Sequence, residues 1–400
     1  MYLKNLDLKS CKSSPSLFNH EEASICTSGS GSGAPFLVQR TIARQAQLLQ
    51  CIGTGRFGEV WKGIFKGELV AVKLFQSRDE CSWARETSIY STGLLSHDNL
   101  LAYYASDMIS KGDVTQLWLV TAFHPRGSLF DFLQENELSL FDLLKLLRSA
   151  FSGLDYLHLE QTGTCCKPSI AHRDIKTKNI LVKLNGEVCI ADLGLAIVKH
   201  SPVSALSDSF SNQQAVEASL FKCKVRVGTK RYMSPELLIN SVNVTKETNE
   251  SPFLLDFGSL SGEDGLSFEL PHEAYLAADI YAMAFVMWEC LRRVRTDSAP
   301  DPYKVPFWNV VSADPSFEAM QNLLIRSMPE MENPHFEVGE REQLLIVHKT
   351  CWSRPLLSKR WMENQTTERV VQTMTECWAQ EPYNRLTAFR AKKNLMEIEM

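Results

Sequence analysis

Two short polar clusters constrain this chain more than any other feature. The first is HRDIKTKN at residues 172–179, and the second is DLG at residues 192–194, thirteen residues after Asn179. We put the chance of such a match arising by accident well under roughly one in a hundred. Together the clusters predict one composite site whose side chains can accept a proton, hold a cation and supply a positive charge.

A glycine-rich segment, GTGRFGEV at residues 53–60, has the G-x-G-x-x-G spacing. This spacing alone is a weak signal, because dinucleotide-binding folds use the same glycines and then open a helix. Here the runs Val60–Ile64 and Leu69–Phe75 favour strands, with a turn at residues 65–68. A glycine loop between two strands is typical of a flap that folds over phosphates.

Lys73 ends the run VAVK, fifteen residues after Gly58. A lone lysine on a strand is usually a solvated surface group. Its apolar neighbours and its spacing from the glycine loop instead predict a ligand of nucleotide phosphates. Its partner would be a glutamate on the next helix. Glu86 is the best candidate, and Glu80, near the start of the same helix, is the alternative.

These motifs resemble those of eukaryotic protein kinases. The resemblance implies an α+β, bilobal fold with a small β-rich N-lobe containing one key helix and a larger, mostly helical C-lobe. The residue pattern agrees: strand-like runs come first, followed by an amphipathic helix over Leu140–His158 and an apolar helix over Asp279–Arg292.

The resemblance also assigns roles in phosphoryl transfer, a reaction that needs positioning and charge neutralisation more than covalent chemistry. Asp174 would accept the proton of the substrate hydroxyl, and Lys176 would lie beside the transferred phosphoryl group. Asn179 and Asp192 would hold the Mg²⁺ (or Mn²⁺) ions that bridge the phosphates of ATP. Lys73 and Glu86 complete the catalytic set, and the remaining ATP-binding residues would be Ile52, Gly53, Thr54, Gly55, Arg56, Phe57, Gly58, Glu59, Val60, Ala71, Thr121 and Leu181.

Further landmarks bear on the acceptor and on stability. By resemblance, H-R-D-x-K-x-x-N belongs to serine/threonine kinases, and Thr229 would be their substrate-positioning threonine. Glu236 and Arg385 would form a buried ion pair that anchors the helical lobe, and breaking such a pair costs about 3–5 kcal/mol. Asp279 is a third structural landmark.

The segment ahead of the glycine loop narrows the family. TSGSGSG at 27–33, followed by LVQRTIAR at 37–44, is similar to the glycine-serine box of type I receptors of the TGF-β/BMP family. GTKRYM at 228–233 also matches the sequence that this family has at the corresponding positions. ASDM at 105–108, ahead of TQLWL at 115–119, most resembles the activin-receptor-type-I and Saxophone branch.

This resemblance implies partners and regulation. A type II receptor serine/threonine kinase would phosphorylate Thr27, Ser28, Ser30 and Ser32, an FK506-binding immunophilin would bind the box, and receptor-regulated Smad proteins would be the substrates. The alternative is that the box is only a spacer, as Gly/Ser stretches usually are. The loop between the fourth and fifth strands would select the Smad class, through Asp107, Met108, Ile109, Ser110, Lys111, Gly112, Asp113 and Val114.

Composition sets limits on other classes of function. The net charge is −5 and the Lys and Arg residues are scattered, so no nucleic-acid footprint stands out. The eleven cysteines form no C-x-x-C pair, which favours reduced thiols. No run of 18 apolar residues and no signal peptide stand out. The family nevertheless predicts a membrane location, on the cytoplasmic side of a single-pass receptor, with this chain a fragment, a late-starting gene model or a soluble variant.

The predicted domain organisation follows from the motif positions. It comprises a juxtamembrane-like segment at 1–26, the glycine-serine box at 27–45, and a kinase domain at 46–396 with N-lobe 46–122, C-lobe 123–396 and polar insertions near 201–222, 240–271 and 327–350. Two rival hypotheses are that the chain is a pseudokinase scaffold, or that it is a soluble kinase of another branch. The complete set of polar motif residues argues against the first, and the order of box and kinase motifs argues against the second.

Overall fold

The computed structural model describes residues 42–55, 58–91, 95–111, 114–162, 167–199, 227–239, 270–325, 344–345 and 354–399. The chain divides into a segment Met1–Arg40, outside those residues, and one compact unit, Thr41–Met400, that carries every element below. The predicted phosphorylation sites Thr27, Ser28, Ser30 and Ser32 therefore lie outside the described residues. So do Arg56, Phe57, Gly112, Asp113 and nearly all of the three predicted polar insertions.

Five antiparallel strands form the sheet of the small lobe, in the order β1-β2-β3-β5-β4. The strands are β1 (Ala46–Gly55), β2 (Gly58–Phe65), β3 (Glu68–Phe75), β4 (Tyr103–Lys111) and β5 (Val114–Ala122). The predicted turn after β2 is confirmed. Lys66 and Gly67 both have positive φ angles, +52° and +86°, as a two-residue hairpin turn requires.

The hairpin of β4 and β5 corrects the prediction for residues 107–114. This segment is mostly strand rather than loop, because β4 continues to Lys111 and β5 begins at Val114, directly opposite it. The β-branched side chains of Ile109 and Thr115 favour the extended backbone. Only residues 112–113 lie between the two strands.

Two helices accompany the small-lobe sheet. Helix α1 (Ile42–Gln45) packs Ile42 and Ala43 against the apolar cluster on one face of the sheet, which contains Val70, Val72, Trp118 and Val120. Helix α2 (Glu80–Ser91) buries Ile89 and Tyr90 in the main core of the molecule. The small lobe thus contains one long helix beside its sheet, as the sequence predicts.

The large lobe is helical, which confirms the predicted α+β, bilobal fold. Among the described residues, the helices of the large lobe are α3 (Leu129–Glu135), α4 (Leu140–His158), α5 (Pro235–Ile239), α6 (His272–Arg292), α7 (Phe317–Leu324), α8 (Gln365–Cys377) and α9 (Ala388–Met396). Helix α4 has the bounds that the sequence predicts, and it begins with a capping box formed by Ser139 and Asp142.

Helix α6 begins at His272, seven residues before the predicted start at Asp279. The earlier start buries Ala274 and Tyr275, and Pro271 stands at the N-cap. By length and hydropathy α6 could cross a membrane, alone among the helices of the described residues. However, 89% of its most apolar window is buried inside the protein, as in a core helix.

Three short ladders hold the loops of the large lobe. The strands β6 (Ile170–Ala171) and β9 (Ile197–Val198) pair, as do β7 (Ile180–Val182) and β8 (Val188–Ile190). A third pair joins β10 (Leu344–Leu345) to β11 (Leu357–Ser358). The prediction of a stretch without structure of its own at 327–350 is therefore wrong at β10, where two leucines pair with a neighbouring strand.

Candidate active site

The loop at residues 172–179, here called the HRD loop, lies between β6 and β7 and is fixed to helix α6. The backbone N–H groups of His172 and Arg173 donate to the carboxylate of Asp279, at 2.7 and 2.8 Å. Asp279 is buried, and His158 Nε2 lies 3.1 Å from its Oδ2. Arg173 takes a positive φ of 68°. The core helix therefore sets the path of the loop through one carboxylate.

Asp174 lies at the centre of the HRD loop's polar contacts. Lys176 Nζ is 2.6 Å from its Oδ2, and Asn179 Nδ2 is 3.0 Å from the same oxygen. Thr229 donates to Oδ1 through its backbone N–H at 2.8 Å and its hydroxyl at 2.7 Å. Lys176 also donates to Thr229 Oγ1 at 2.8 Å. Three side chains that the sequence predicts for one reaction thus contact the carboxylate of the fourth, Asp174.

The segment 228–232, here called the Thr229 segment, lies directly on the HRD loop. Gly228 has a φ of +108°, and a Cβ atom on it would lie 2.5 Å from the carbonyl oxygen of Arg173. Arg231 anchors the same segment by donating to the backbone oxygens of Ser312 and Ala313. Glycine at 228 is therefore required both by backbone conformation and by space.

Lys73 on β3 lies between two carboxylates. Its Nζ is 3.0 Å from Glu86 Oε2 and 2.8 Å from Asp192 Oδ1. Burial disfavours the ammonium form of Lys73, but the charges of Asp192 and Glu86 outweigh burial and raise its pKa. Burial raises the pKa of Glu86 against the effect of Lys73. For Asp192, the nearby ammonium overcomes burial and lowers the pKa.

The choice between the two candidate glutamates is settled by burial. Glu86 is 1% exposed and contacts Lys73, whereas Glu80 is exposed at the start of α2. Helix α2 also holds the DLG segment, residues 192–194. Leu193 N–H donates to Glu86 Oε1 at 3.1 Å, and Arg85 donates to the carbonyl oxygen of Gly194 at 2.9 Å.

The predicted ATP-binding residues that the structure describes lie on strands β1, β2, β3 and β5 of the small lobe and on β7 of the large lobe. Ile52, Gly53, Thr54 and Gly55 lie on β1 and Gly58, Glu59 and Val60 on β2, where Val60 pairs with Lys73. Ala71 on β3 lies opposite Thr121 on β5, and Leu181 on β7 packs in a small apolar cluster with Ala122. A Cβ atom on Gly58 would lie 1.8 Å from the carbonyl oxygen of Leu74. The β1–β2 hairpin therefore needs glycine where it meets β3.

The residues predicted to hold a cation fit magnesium in donor chemistry. Asp192 provides a carboxylate, and Asn179 turns its amide nitrogen toward Asp174, which leaves its amide oxygen as the possible ligand. Within the described residues, no group of three or more His, Cys, Asp or Glu side chains forms a metal cage. Magnesium bound with nucleotide needs only one or two carboxylates, because phosphates and water complete its shell.

Glu236 and Arg385 form a bidentate ion pair away from these groups. The two nitrogen–oxygen distances are 2.7 and 2.8 Å, and both side chains are almost fully buried. Arg385 also donates to three backbone oxygens, of Ala277, Ala379 and Gln380. The pair joins α5 to the segment just before α9, so it holds parts of the large lobe together rather than lying among the site residues.

Asp107, predicted to select substrates, has a partner within the protein. Its Oδ2 accepts a hydrogen bond from the backbone N–H of Ala43 in helix α1 at 2.9 Å. Met108, the next residue, is half-exposed on β4. The end of the predicted glycine-serine box therefore lies against the strand that carries the predicted selecting residues.

Sequence reasoning missed Glu289 of helix α6, which is completely buried. Hydroxyl groups of Tyr232, Thr177 and Tyr303 donate to it. The available signal was a single carboxylate within the otherwise apolar run 280–291. A charge placed in a buried helix needs nearby donors, and only the folded chain shows which ones they are.

Comparisons with known proteins agree with this geometry. The protein kinase domain family matches residues 46–250, and the transforming growth factor beta type I GS-motif family matches residues 21–44. Activin receptor type-1 of Homo sapiens is 43% identical over 374 residues, which is 94% of this chain and 61% of that protein. Activin receptor type-1-like of Homo sapiens is 42% identical over 394 residues, 98% of this chain and 66% of that protein. The chain thus spans less than two thirds of the length of these relatives.

Proposed function

Because the chain belongs to the protein kinase family, on its TGF-β type I receptor branch, we propose that it transfers the γ-phosphate of ATP to serine or threonine hydroxyls of a protein. The observation that carries this proposal is the arrangement of Lys176, Asn179 and Thr229 around the carboxylate of Asp174, each within 3.0 Å. A pseudokinase scaffold has no need of a carboxylate held by three side chains at the mouth of a nucleotide site.

Each group has a distinct task in this reaction. ATP would supply the phosphoryl group and leave as ADP, and Asn179 and Asp192 would hold the Mg²⁺ that neutralises charge on its phosphates. Asp174 orients the substrate hydroxyl and accepts its proton. Lys176 places a point charge beside the transferred group, and Thr229 keeps the substrate chain next to Asp174.

By resemblance to type I receptors, we propose that receptor-regulated Smad proteins are the substrates. The hairpin residues 107–114 would set which of these proteins is phosphorylated. The exposed side chain of Met108 on β4 supports a recognition role for this hairpin. The carboxylate of Asp107 accepts a hydrogen bond from Ala43 of α1, so Asp107 would contribute to this hairpin by supporting α1, and the remaining residues would contact the substrate.

For regulation, we propose that a type II receptor kinase phosphorylates Thr27, Ser28, Ser30 and Ser32. Each phosphate adds about −1.5 to −2 charges and three strong acceptor oxygens. The GS-motif match at residues 21–44 and the contact of α1 with β4 support a signal that enters the small lobe at this point. By the same resemblance, we propose that an FK506-binding immunophilin binds the glycine-serine box. We also propose that the chain lies on the cytoplasmic side of a membrane.

The test compares the full 400-residue chain with its Asp174→Asn variant. Labelled ATP with Mg²⁺ and a serine-containing protein should give transfer by the parent chain. Loss of the proton acceptor should lower turnover by about 10²–10⁴-fold. Asp155→Asn, which changes a partly buried carboxylate of α4 that pairs with Lys392 of α9, is the matched control and should retain activity. Near-parental turnover by Asp174→Asn would show that this mechanism is wrong.

A further inference from the structure

A cavity in the large lobe opens between helices α4, α6 and α9. Its volume is about 470 Å³, within the roughly 300–1,000 Å³ that small-molecule sites have. Its walls come from the end of α4, the first half of α6, the segment 382–387 and the start of α9. Lys73, Asp174 and Asp192 are not among the described residues that line it. The cavity is therefore large enough for a ligand and distinct from the candidate active site.

Apolar side chains line most of this cavity. Ala274 and Ala277 of α6 and Ala388 of α9 are small, which leaves space between the helices. Three large apolar side chains of the lining are exposed to solvent and so mark its mouth, namely Leu159 (49%), Tyr383 (67%) and Phe389 (63%). A contiguous exposed apolar patch marks a binding surface, and aromatic rings interact favourably with other rings. Small walls and two rings at the mouth favour a flat aromatic ligand.

The charged side chains of the lining are each paired within the protein. The four pairs are Asp155–Lys392, Glu273–Lys199, His158–Asp279 and Arg385–Glu236, with nitrogen–oxygen distances between 2.7 and 3.2 Å. A charged ligand group would leave water without gaining an opposite charge of its own, and such a transfer is costly. The cavity therefore favours an uncharged ligand.

We infer that this cavity binds a small uncharged aromatic molecule and that binding is coupled to the HRD loop. The coupling runs through His158, which lines the cavity and whose Nε2 lies 3.1 Å from Oδ2 of Asp279. The carboxylate of Asp279 also accepts the backbone N–H groups of His172 and Arg173. A ligand that contacts His158 thus acts on the group that sets the path of the HRD loop. Binding is independent of the proposed function, and only an effect on phosphoryl transfer would rest on it.

The binding test uses the full chain with saturating Mg-ADP, so that the nucleotide site is occupied. The probe is N-phenyl-1-naphthylamine, an uncharged aromatic fluorophore whose emission increases in apolar surroundings. The parent chain should bind it saturably. Ala277→Leu fills space between the helices and should abolish that binding. Ala319→Leu, which changes a half-buried alanine of α7 outside the cavity lining, is the matched control and should bind as the parent does.

A second variant serves if Ala277→Leu does not fold. Phe389→Ser removes an exposed ring at the mouth and should weaken binding by about two- to twelvefold, the contribution of one aromatic contact. 2-Naphthol should displace the probe, whereas 1-octanol, an aliphatic alcohol, should be about tenfold weaker. Parental affinity in either folded variant overturns the site. Equal displacement by the two alcohols overturns the aromatic class of the ligand.

Hydrogen exchange of a peptide covering residues 170–176 measures the coupling. Saturating 2-naphthol should change its exchange rate by about fivefold or more in the parent chain, the lower end of typical coupling between sites. Exchange in Ala277→Leu should not respond. An unchanged rate in a parent chain that binds the probe overturns the coupling to the HRD loop. Neither measurement involves phosphoryl transfer, so a chain that gives both expected results but transfers no phosphate overturns the proposed function alone.

Discussion

The ammonium of Lys73 lies 2.8 Å from Oδ1 of Asp192, a residue 119 positions away in the chain. The contact joins β3 of the small lobe to the DLG segment of the large lobe. Glu86 of α2 completes the arrangement at 3.0 Å. One lysine thus connects three elements around the region where the phosphates of a nucleotide would bind.

Replacing this lysine should stop catalysis and weaken the fold. In Lys73→Met, Glu86 would stay buried without the cation that compensates its charge, and breaking such a buried pair costs about 3–5 kcal/mol. Phosphoryl transfer should fall below detection, and the melting temperature should fall with it. Lys66→Met, at the exposed β2–β3 turn, is the control. A Lys73→Met protein with parental turnover would contradict the assignment of Lys73 to the phosphates.

Lys73→Arg keeps the charge but replaces the compact ammonium with a planar fork, and the two groups are not interchangeable in such sites. We expect most of the stability to remain while transfer is lost. Thermal denaturation and labelled-phosphate transfer, measured on the same preparation, test both parts. Retained turnover would show that charge alone suffices at this position.

The ion pair of Arg385 and Glu236 should dominate the stability of the large lobe. Arg385→Ala leaves a buried carboxylate without its partner, which should lower the free energy of unfolding by about 3–5 kcal/mol. Arg295→Ala breaks an exposed pair with Glu137 and should cost at most about 1 kcal/mol. Urea denaturation of both variants makes the comparison. Equal losses would show that burial does not set the value of the pair.

The bond between Asp107 and Ala43 predicts a local effect on helix α1. Asp107→Ala removes the acceptor of the Ala43 N–H group, and a net loss of about 0.5–1.5 kcal/mol corresponds to roughly two- to twelvefold faster opening. Hydrogen exchange of a peptide covering residues 42–45 should show this increase. Glu68→Ala on the exposed end of β3 is the control. Unchanged exchange in Asp107→Ala would mean that other contacts hold α1.

His272 predicts an acid dependence of stability. Burial lowers its pKa to about 4, and its Nε2 lies 3.0 Å from Ser169 Oγ. The unfolded chain binds a proton near the usual value of 6.5 while the folded chain does not, so stability falls as the pH decreases from 6.5 toward 4. Because His272 is partly exposed, the effect should stay below about 2 kcal/mol. His272→Gln should reduce the loss between pH 7.5 and 5.0 in urea denaturation, and an identical loss would contradict the assignment.

Local sequence patterns were enough to predict the fold class, the glycine hairpin and helix α4. Phosphoryl transfer restricts residue types and spacing within short segments, so the motifs at 53–60, 172–179 and 192–194 predict the protein kinase fold without any contact information. Helical periodicity is also local. It predicts α4 at its observed bounds because seven apolar side chains between Leu140 and Leu157 recur on one helical face.

Which distant groups meet depended on how the chain packs in three dimensions. Packing chose Glu86 over Glu80 as the partner of Lys73, extended β4 and β5 through most of a predicted loop, and started α6 earlier than its apolar pattern indicates. It also brought Thr177 and Tyr232 to Glu289, across 112 and 57 residues of chain. The physical reason is that a buried carboxylate must find donors wherever packing places them. Sequence periodicity describes neighbours along the chain, whereas these partners become neighbours only when distant segments of the chain pack together.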